Sequence, residues 1–486
     1  MKGANAGMNG LMYIGGEWRE AISGQRREVR NPATGETVGS VPVCGREDVA
    51  AAIDAAHAAF RPWADLTAQE RSEPLRRAFE ILVERKDEIA RIMTLEQGKP
   101  LAEAKAEVLF AAEFLRWYSE EAKRVYGETI PASAPHKRIL VIRQPVGVVG
   151  AITPWNFPVS MLTRKIAPAL AAGCTVVLKP ADYTPLSAVA LFRVLEDAGF
   201  PPGVVNLVTG KGSVVGAEFL ENPKLGKITF TGSTEVGKQL IEGSAKYVKR
   251  ISMELGGHAP FIVFEDADLE QTVDACIASK FRNAGQTCIC ANRIYVQDTI
   301  MDRFAAMLAG KVKALKVGNG MEPGVDIGPL IDWEALEKVE QQVQDALSKG
   351  AKLEAGGRRY VREGLNGAFY EPTVLSHVDE SMDICSVETF GPVAPLIAFR
   401  TEEEVIAKAN ATEYGLASYV FTRDLGRAFR VSERLEYGIV GVNDPLPSVA
   451  QAPFGGWKES GLGREGGRHG LEAFLEIKYI SLGLNG

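Results

Sequence analysis

The sequence predicts an α/β protein with one doubly wound domain built on a parallel sheet, a second α/β domain and a small β element beside them. Three observations predict it. Between Val146 and Gly232 short apolar runs (VGVVGAI, TVVLK, VVNLV, KITFTG) alternate with stretches of helical periodicity, the pattern of parallel strands covered on both faces by crossover helices. A second set of alternations runs from Gly257 to the 440s. The chain has 486 residues, more than a single core accommodates efficiently, so two or three domains are expected.

The opening MKGANAGMNG has one lysine followed by small, polar and glycine residues. It lacks the apolar centre of a secretory signal and is expected to be a loose tail. From Thr67 to about Tyr126 apolar residues fall at helical spacing (Leu75, Phe79, Leu82; Ile89, Ile92, Met93; Val108, Ala112, Leu115, Tyr118), which predicts long amphipathic helices. Pro131 and Pro135 then break the chain, and ILVIR follows as a short β-rich excursion.

In the first alternation the helices run through MLTRKIAPALAAG, through LSAVALFRVLEDAG and from about Val214. In the second, APFIVF, NRIYVQ, AKLEAG and ASYVFT are strand candidates, and DRFAAMLAGKVKAL is a helix between them. The tail FLEIKYISLGL is a terminal strand. Left unpaired it would be an exposed edge, so a partner is expected in ILVIR or across a subunit interface.

Composition narrows the function classes. Hydrophobic residues at 46% and charged residues at 24% are ordinary for a globular protein. Lys plus Arg total 55 against 62 Asp plus Glu, a net charge of -7 without a long basic run, so nucleic acid is not an expected partner. No apolar stretch is long enough to cross a bilayer, and a cytoplasmic protein is expected. The 6 cysteines (Cys44, Cys174, Cys276, Cys288, Cys290, Cys385) are scattered and the 5 histidines are dispersed. Neither a disulfide framework nor a metal site is expected.

Several motifs fall where such a sheet would present ligand-binding residues, at the carboxyl ends of its strands. TPWNFP (Thr153 to Pro158) follows VGVVGAI; the Asn156 amide could donate to a developing oxyanion or cap the next helix. LKPADYTP puts Lys179 and Asp182 where a ribose or phosphate would pass. KITFTGSTEVG supplies Gly232 and Ser233 before a helix whose first amides suit a pyrophosphate, although the full Gly-x-Gly-x-x-Gly spacing is missing.

MELGGHAP sets Glu254 in an apolar, glycine-rich context, fitting a general base with a raised pKa or a salt-bridged strand end. FRNAGQTCICAN leads into Cys288 through a glycine and polar residues; a cysteine taken alone is more often buried and structural than reactive. ETFGP (Glu388 to Pro392) and PFGGWKESGLGREGG (Pro453 to Gly467) are rigid glycine-proline loops.

In this order and at these spacings, TPWNFP, LKPAD, FTGST, MELGG, GQTC, ETFGP and PFGGWKESG resemble the aldehyde dehydrogenase superfamily, from about Tyr13 to the C-terminus. The resemblance implies a Rossmann-like NAD(P)-binding domain over residues 11–127 and 149–256, an α/β catalytic domain over 257–455, and an oligomerisation element over 128–148 and 456–486. It implies a homodimer or homotetramer. Cys288 would be the nucleophile, Asn156 with the Cys288 backbone N–H would hold the oxyanion, and Glu254 would activate water. Because Glu254 is present, hydrolysis is expected rather than transfer to coenzyme A.

The same resemblance implies Thr153, Trp155, Lys179, Asp182, Gly232, Ser233, Glu388 and Phe390 as cofactor-binding positions. Lys179 matches the lysine at the adenine ribose, Ser233 a pyrophosphate contact and Glu388 the clamp on the nicotinamide ribose. Asp182 departs from the glutamate usual in NAD-preferring members, so NAD is expected with NADP possible. Arg164 and Arg282, with Ser448, resemble the carboxylate clamp of succinate-semialdehyde dehydrogenases; similar arginines occur in glutarate and 2-oxoglutarate semialdehyde enzymes.

Two extra prolines in NDPLPSVAQAPFGG leave the chain length open, with a four-carbon semialdehyde expected first and a five-carbon one second. Cys290 is either a redox partner of Cys288 or a packing residue. Two other classes compete. One is a catalytically silent dinucleotide-binding or structural protein; the other is a cofactor-free cysteine hydrolase, for which no histidine lies in an activating motif.

Overall fold

The structure is a computed structural model that describes residues 8–484; the start of the expected loose tail, residues 1–7, and residues 485–486 lie outside the described residues. The strands Arg250–Glu254, Leu225–Thr231, Val148–Ile152, Thr175–Lys179 and Val205–Leu207 lie side by side in that order, all parallel. Their residues are almost all buried, as expected of strands with helices on both faces. The chain enters at Val148–Ile152, winds outward to Val205–Leu207, then returns to the other side of its starting strand. The switch point therefore lies between the carboxyl ends of Val148–Ile152 and Leu225–Thr231, where such sheets bind ligands.

Two antiparallel additions close the edges. Met12–Ile14 pairs with Val205–Leu207, and Gly461–Leu462 pairs with Arg250–Glu254. The second differs from the expectation that 456–486 belongs wholly to a separate β element. Its cause is the open edge of Arg250–Glu254, whose backbone groups need partners; the adjoining Leu255 N–H donates to the Ser460 carbonyl at 2.9 Å.

The expected helices span Ala68–Glu84, Lys86–Gln97 and Leu101–Glu121, preceded by Arg46–Ala64. Thr67 starts the first of these with a capping box: its hydroxyl accepts from Glu70 N–H at 3.2 Å, and the Glu70 carboxylate accepts from Thr67 N–H at 2.7 Å. Phe114, Leu115 and Tyr118 share one apolar cluster with Leu162, Ile166 and Leu170 of helix Ser160–Ala172. Every residue of that helix is buried, Arg164 and Lys165 included.

A second sheet holds Lys352–Ala355, Thr373–Val378, Val393–Phe399, Ala291–Gln297, Ala259–Val263, Ala417–Phe421 and Ile439–Val442 in that order, parallel except for the first strand. It has its own large core. The small β element is a three-stranded sheet. Leu475–Gly483 runs antiparallel to Lys137–Pro145 over its whole length, and Glu128–Ile130 pairs with the other side of Lys137–Pro145. Of the two partners expected for the terminal strand, ILVIR is the one found.

Candidate active site

Cys288 lies between helix Leu269–Lys280 and strand Ala291–Gln297, on a segment of unusual backbone. Asn283 and Ala284 are left-handed, with φ of 51° and 54°, a costly conformation unless the surroundings enforce it. They do. Asn283 N–H donates to Glu103 at 2.8 Å, its amide donates to the Asn156 carbonyl at 3.0 Å, and Gln97 donates to its side-chain oxygen at 2.9 Å.

The segment delivers the half-buried Cys288 to a cavity with Phe110, Phe157, Met161, Leu446 and Phe454 among its apolar walls. Gly257 permits the fit, because a Cβ there would meet the Cys288 carbonyl at 2.4 Å. Burial pushes the Cys288 thiol up to about 12; Arg164 and Arg282 pull it down, while Glu388 and Glu254 oppose them.

Arg164, Arg282 and Ser448 line the same cavity. Arg164 is 2% exposed, with Nη2 3.4 Å from the Ser448 hydroxyl and its guanidinium 4.1 Å from the Phe454 ring centroid. Its Nε is 3.8 Å from a Glu465 oxygen, yet neither Nε nor Nη1 makes a hydrogen bond among the described residues. Arg282 sits 5.3 Å from the Phe157 ring centroid with its Nε likewise unbonded. Buried donors without acceptors are expensive, and a planar carboxylate is the group that matches a guanidinium fork.

Asn156 does not cap the following helix, whose N-cap is Val159. Its amide donates to the Gln286 carbonyl at 3.1 Å, close to the nucleophile in sequence, and its side-chain oxygen has no partner among the described residues. The loop is held from below. Lys99 donates to the Asn156 carbonyl at 2.7 Å and pairs with Glu107, whose other oxygen accepts from Val159 N–H at 2.9 Å and Ser160 N–H at 3.2 Å.

Glu254 ends strand Arg250–Glu254, fully buried, with no hydrogen bond to either oxygen among the described residues. It is not a salt-bridged strand end. Burial first, and then the nearby Glu465 charge, push its carboxyl well above the ordinary range. Glu465 itself is bound by Lys165 at 2.5 Å. Gly455 leaves the room Glu254 occupies, since a Cβ there would lie 2.9 Å from Glu254 Oε1.

The remaining candidates gather at the switch point of the first sheet. Thr153 follows Val148–Ile152, Lys179 ends its neighbour, and Gly232 with Ser233 follows Leu225–Thr231. Ser233 caps helix Thr234–Ser244, accepting from Val236 N–H at 3.4 Å. Trp155 and Phe390 meet edge to face at 5.6 Å, and Glu388, pushed up to about 7 by burial, accepts from Gly257 N–H at 3.3 Å. The hydroxyls of Thr153 and Thr231 are buried without partners among the described residues. Orphan donors beside a helix N-terminus at a switch point fit the sugar and phosphates of a dinucleotide.

Asp182 is tied to Lys179 at 2.6 Å and to Arg27 at 2.7 Å. Cys290 is buried outside the cavity, its thiol donating to the Lys280 carbonyl at 3.4 Å. No group of acidic, histidine and cysteine residues suits a metal among the described residues. None of their helices is long and apolar enough to cross a membrane.

Sequence reasoning missed Arg27, Lys99, Glu107 and Glu465. Glu465 lies inside the glycine-rich loop PFGGWKESGLGREGG, and GKP before a helix marks Lys99. Arg27 carried no local signal, because its partner is 155 residues away.

The sequence model of the aldehyde dehydrogenase family matches residues 18–480. A glutarate-semialdehyde dehydrogenase of Pseudomonas putida is 56% identical over 97% of this chain and 97% of its own. A succinate-semialdehyde dehydrogenase [NADP(+)] of Escherichia coli is 55% identical over the same shares. The crystal structure of betaine aldehyde dehydrogenase from Staphylococcus aureus in complex with NAD+ superposes with a TM-score of 0.95 at 40% identity, covering 98% of this chain and 95% of that one.

Proposed function

This chain belongs to the aldehyde dehydrogenase family, and within it we propose that it oxidises a semialdehyde with a distal carboxylate to the dicarboxylic acid, using NAD or NADP. The observation that carries the substrate class is Arg164: buried, short of acceptors, and in one cavity with Cys288. Arg282 and Ser448 complete the anion-binding end. The apolar walls suit a short methylene chain between carboxylate and aldehyde.

In this reading the Cys288 thiolate attacks the aldehyde carbon, forming the C–S bond while the carbonyl electron pair moves to oxygen. The Asn156 amide and the Cys288 backbone N–H hold that oxyanion. A nicotinamide dinucleotide held at the switch-point crevice by Lys179, Ser233 and Glu388 would supply the hydride acceptor, so that the carbon bonded to Cys288 Sγ is left as a thioester. Glu254 takes a proton from water, whose oxygen adds to the thioester carbon, and the thiolate leaves with the acid formed. The balance is one aldehyde, one water and one oxidised dinucleotide giving one carboxylate, one reduced dinucleotide and two protons.

Succinate semialdehyde is the first substrate of this reading and glutarate semialdehyde the second. Each has a relative of that name at nearly equal identity. The reading also assigns residues 11–127 and 149–256 to cofactor binding and 257–455 to catalysis. It makes the protein a cytoplasmic homodimer or homotetramer, assembled through 128–148 and the terminal strand Leu475–Gly483. Cys290, whose thiol is buried away from the cavity, is assigned to packing.

Steady-state kinetics of Arg164→Ala test the substrate class. KM for succinate semialdehyde should rise by an amount worth about 2–5 kcal/mol, with a much smaller effect on butanal. Equal effects on both aldehydes would refute it.

A further inference from the structure

The crevice read above as a dinucleotide site, on which this inference rests, contains a charge cluster that the reaction leaves unexplained. Lys179 projects from the end of strand Thr175–Lys179, 2.6 Å from one oxygen of Asp182; the other oxygen is 2.7 Å from Arg27. Lys179 Nζ also faces the start of helix Gly212–Glu221, where a methyl on Gly212 would lie 3.7 Å from it. Arg27 belongs to a different sheet, in strand Arg26–Arg30 paired with Thr37–Pro42. Among the described residues its side chain bonds to Asp182 alone.

A carboxylate beside the adenine ribose accepts hydrogen bonds from the ribose hydroxyls of NAD but repels the 2′-phosphate of NADP, a group with nearly two negative charges. In this chain both oxygens of Asp182 are occupied, one by each cation, and the cluster keeps one net positive charge. Lys179 alone would leave the cluster neutral and one carboxylate oxygen free to face the phosphate. We propose that Arg27 is a cofactor-selectivity residue: by holding Asp182 it masks the acidic charge and opens the site to 2′-phosphorylated dinucleotides as well as NAD. Arg27 acts through Asp182 and is a positioning residue.

The test is calorimetric titration of the full chain with adenosine 2′,5′-bisphosphate and, as the control without a 2′-phosphate, adenosine 5′-monophosphate. Arg27→Ala should weaken the bisphosphate about tenfold relative to the monophosphate, and Arg27→Lys should keep most of the selectivity. Adding Asp182→Asn to Arg27→Ala should restore bisphosphate binding, because the unmasked carboxylate is gone. The ratio of kcat/KM for NADP over NAD should move in the same directions. Equal losses for both probes in Arg27→Ala, or a loss that Asp182→Asn does not restore, would overturn the proposal while leaving the dinucleotide site standing. Failure of the parent protein to bind either probe would remove that site, and the proposal with it.

Discussion

In the proposed reaction Cys288 and Glu254 both act as anions, and burial opposes that for both of them. The thiol is pushed up to about 12 and the carboxyl well above its usual range. The sign is the same for each: lowering the proton concentration fills the reactive form. We expect kcat/KM to rise with pH through the neutral range and into the alkaline one, measured as a pH–rate profile with succinate semialdehyde. A profile falling across that range would contradict these roles.

Glu254→Gln should leave acylation in place and stall hydrolysis, so a burst of reduced dinucleotide precedes slow turnover, and mass spectrometry finds the acyl group on Cys288. A variant that turns over at the parent rate would exclude Glu254 as the base. At this scale the motifs marked candidates because residue type and strand-end position carry chemistry. They could not reveal that Arg164 and Arg282 face one cavity, since 118 positions of sequence hold no distance. Folding supplies that distance.

The element that matters most is the loop TPWNFP, suspended from the helix layer by the Lys99–Glu107 pair. Removing one partner of a buried pair leaves an uncompensated charge, at a cost of about 3–5 kcal/mol. Lys99→Met should therefore lower the thermal midpoint and reduce kcat more than it raises KM, because the Asn156 amide loses its fixed position. An unchanged kcat in a folded Lys99→Met protein would detach the pair from catalysis. The parallel strands were legible because burial on both faces makes them continuous apolar runs, as in TVVLK. Gly461–Leu462 and Met12–Ile14 were not, being two or three residues long and defined by the edge they cover rather than by any pattern of their own.

For the molecule as a whole, the proposed catalysis draws on both large sheets. Asn156 and Glu254 follow or end strands of the first, and Cys288 precedes a strand of the second. The small third sheet touches neither role; among the described residues its outer strand Leu475–Gly483 is unpaired on one side and exposes Ile477 and Tyr479. If that strand joins subunits, Ile477→Asp with Tyr479→Asp should shift the sedimentation coefficient toward the monomer, and an unchanged coefficient would place the interface elsewhere.

The central claim, that the cavity selects a distal carboxylate, is tested most directly by one ratio in the parent enzyme. That ratio is kcat/KM for succinate semialdehyde over kcat/KM for butanal, which matches it in carbon count but lacks the anion. The carboxylate clamp predicts a ratio of about one hundred or more, from a charge-assisted pair worth roughly 3 kcal/mol. A ratio near one would contradict it.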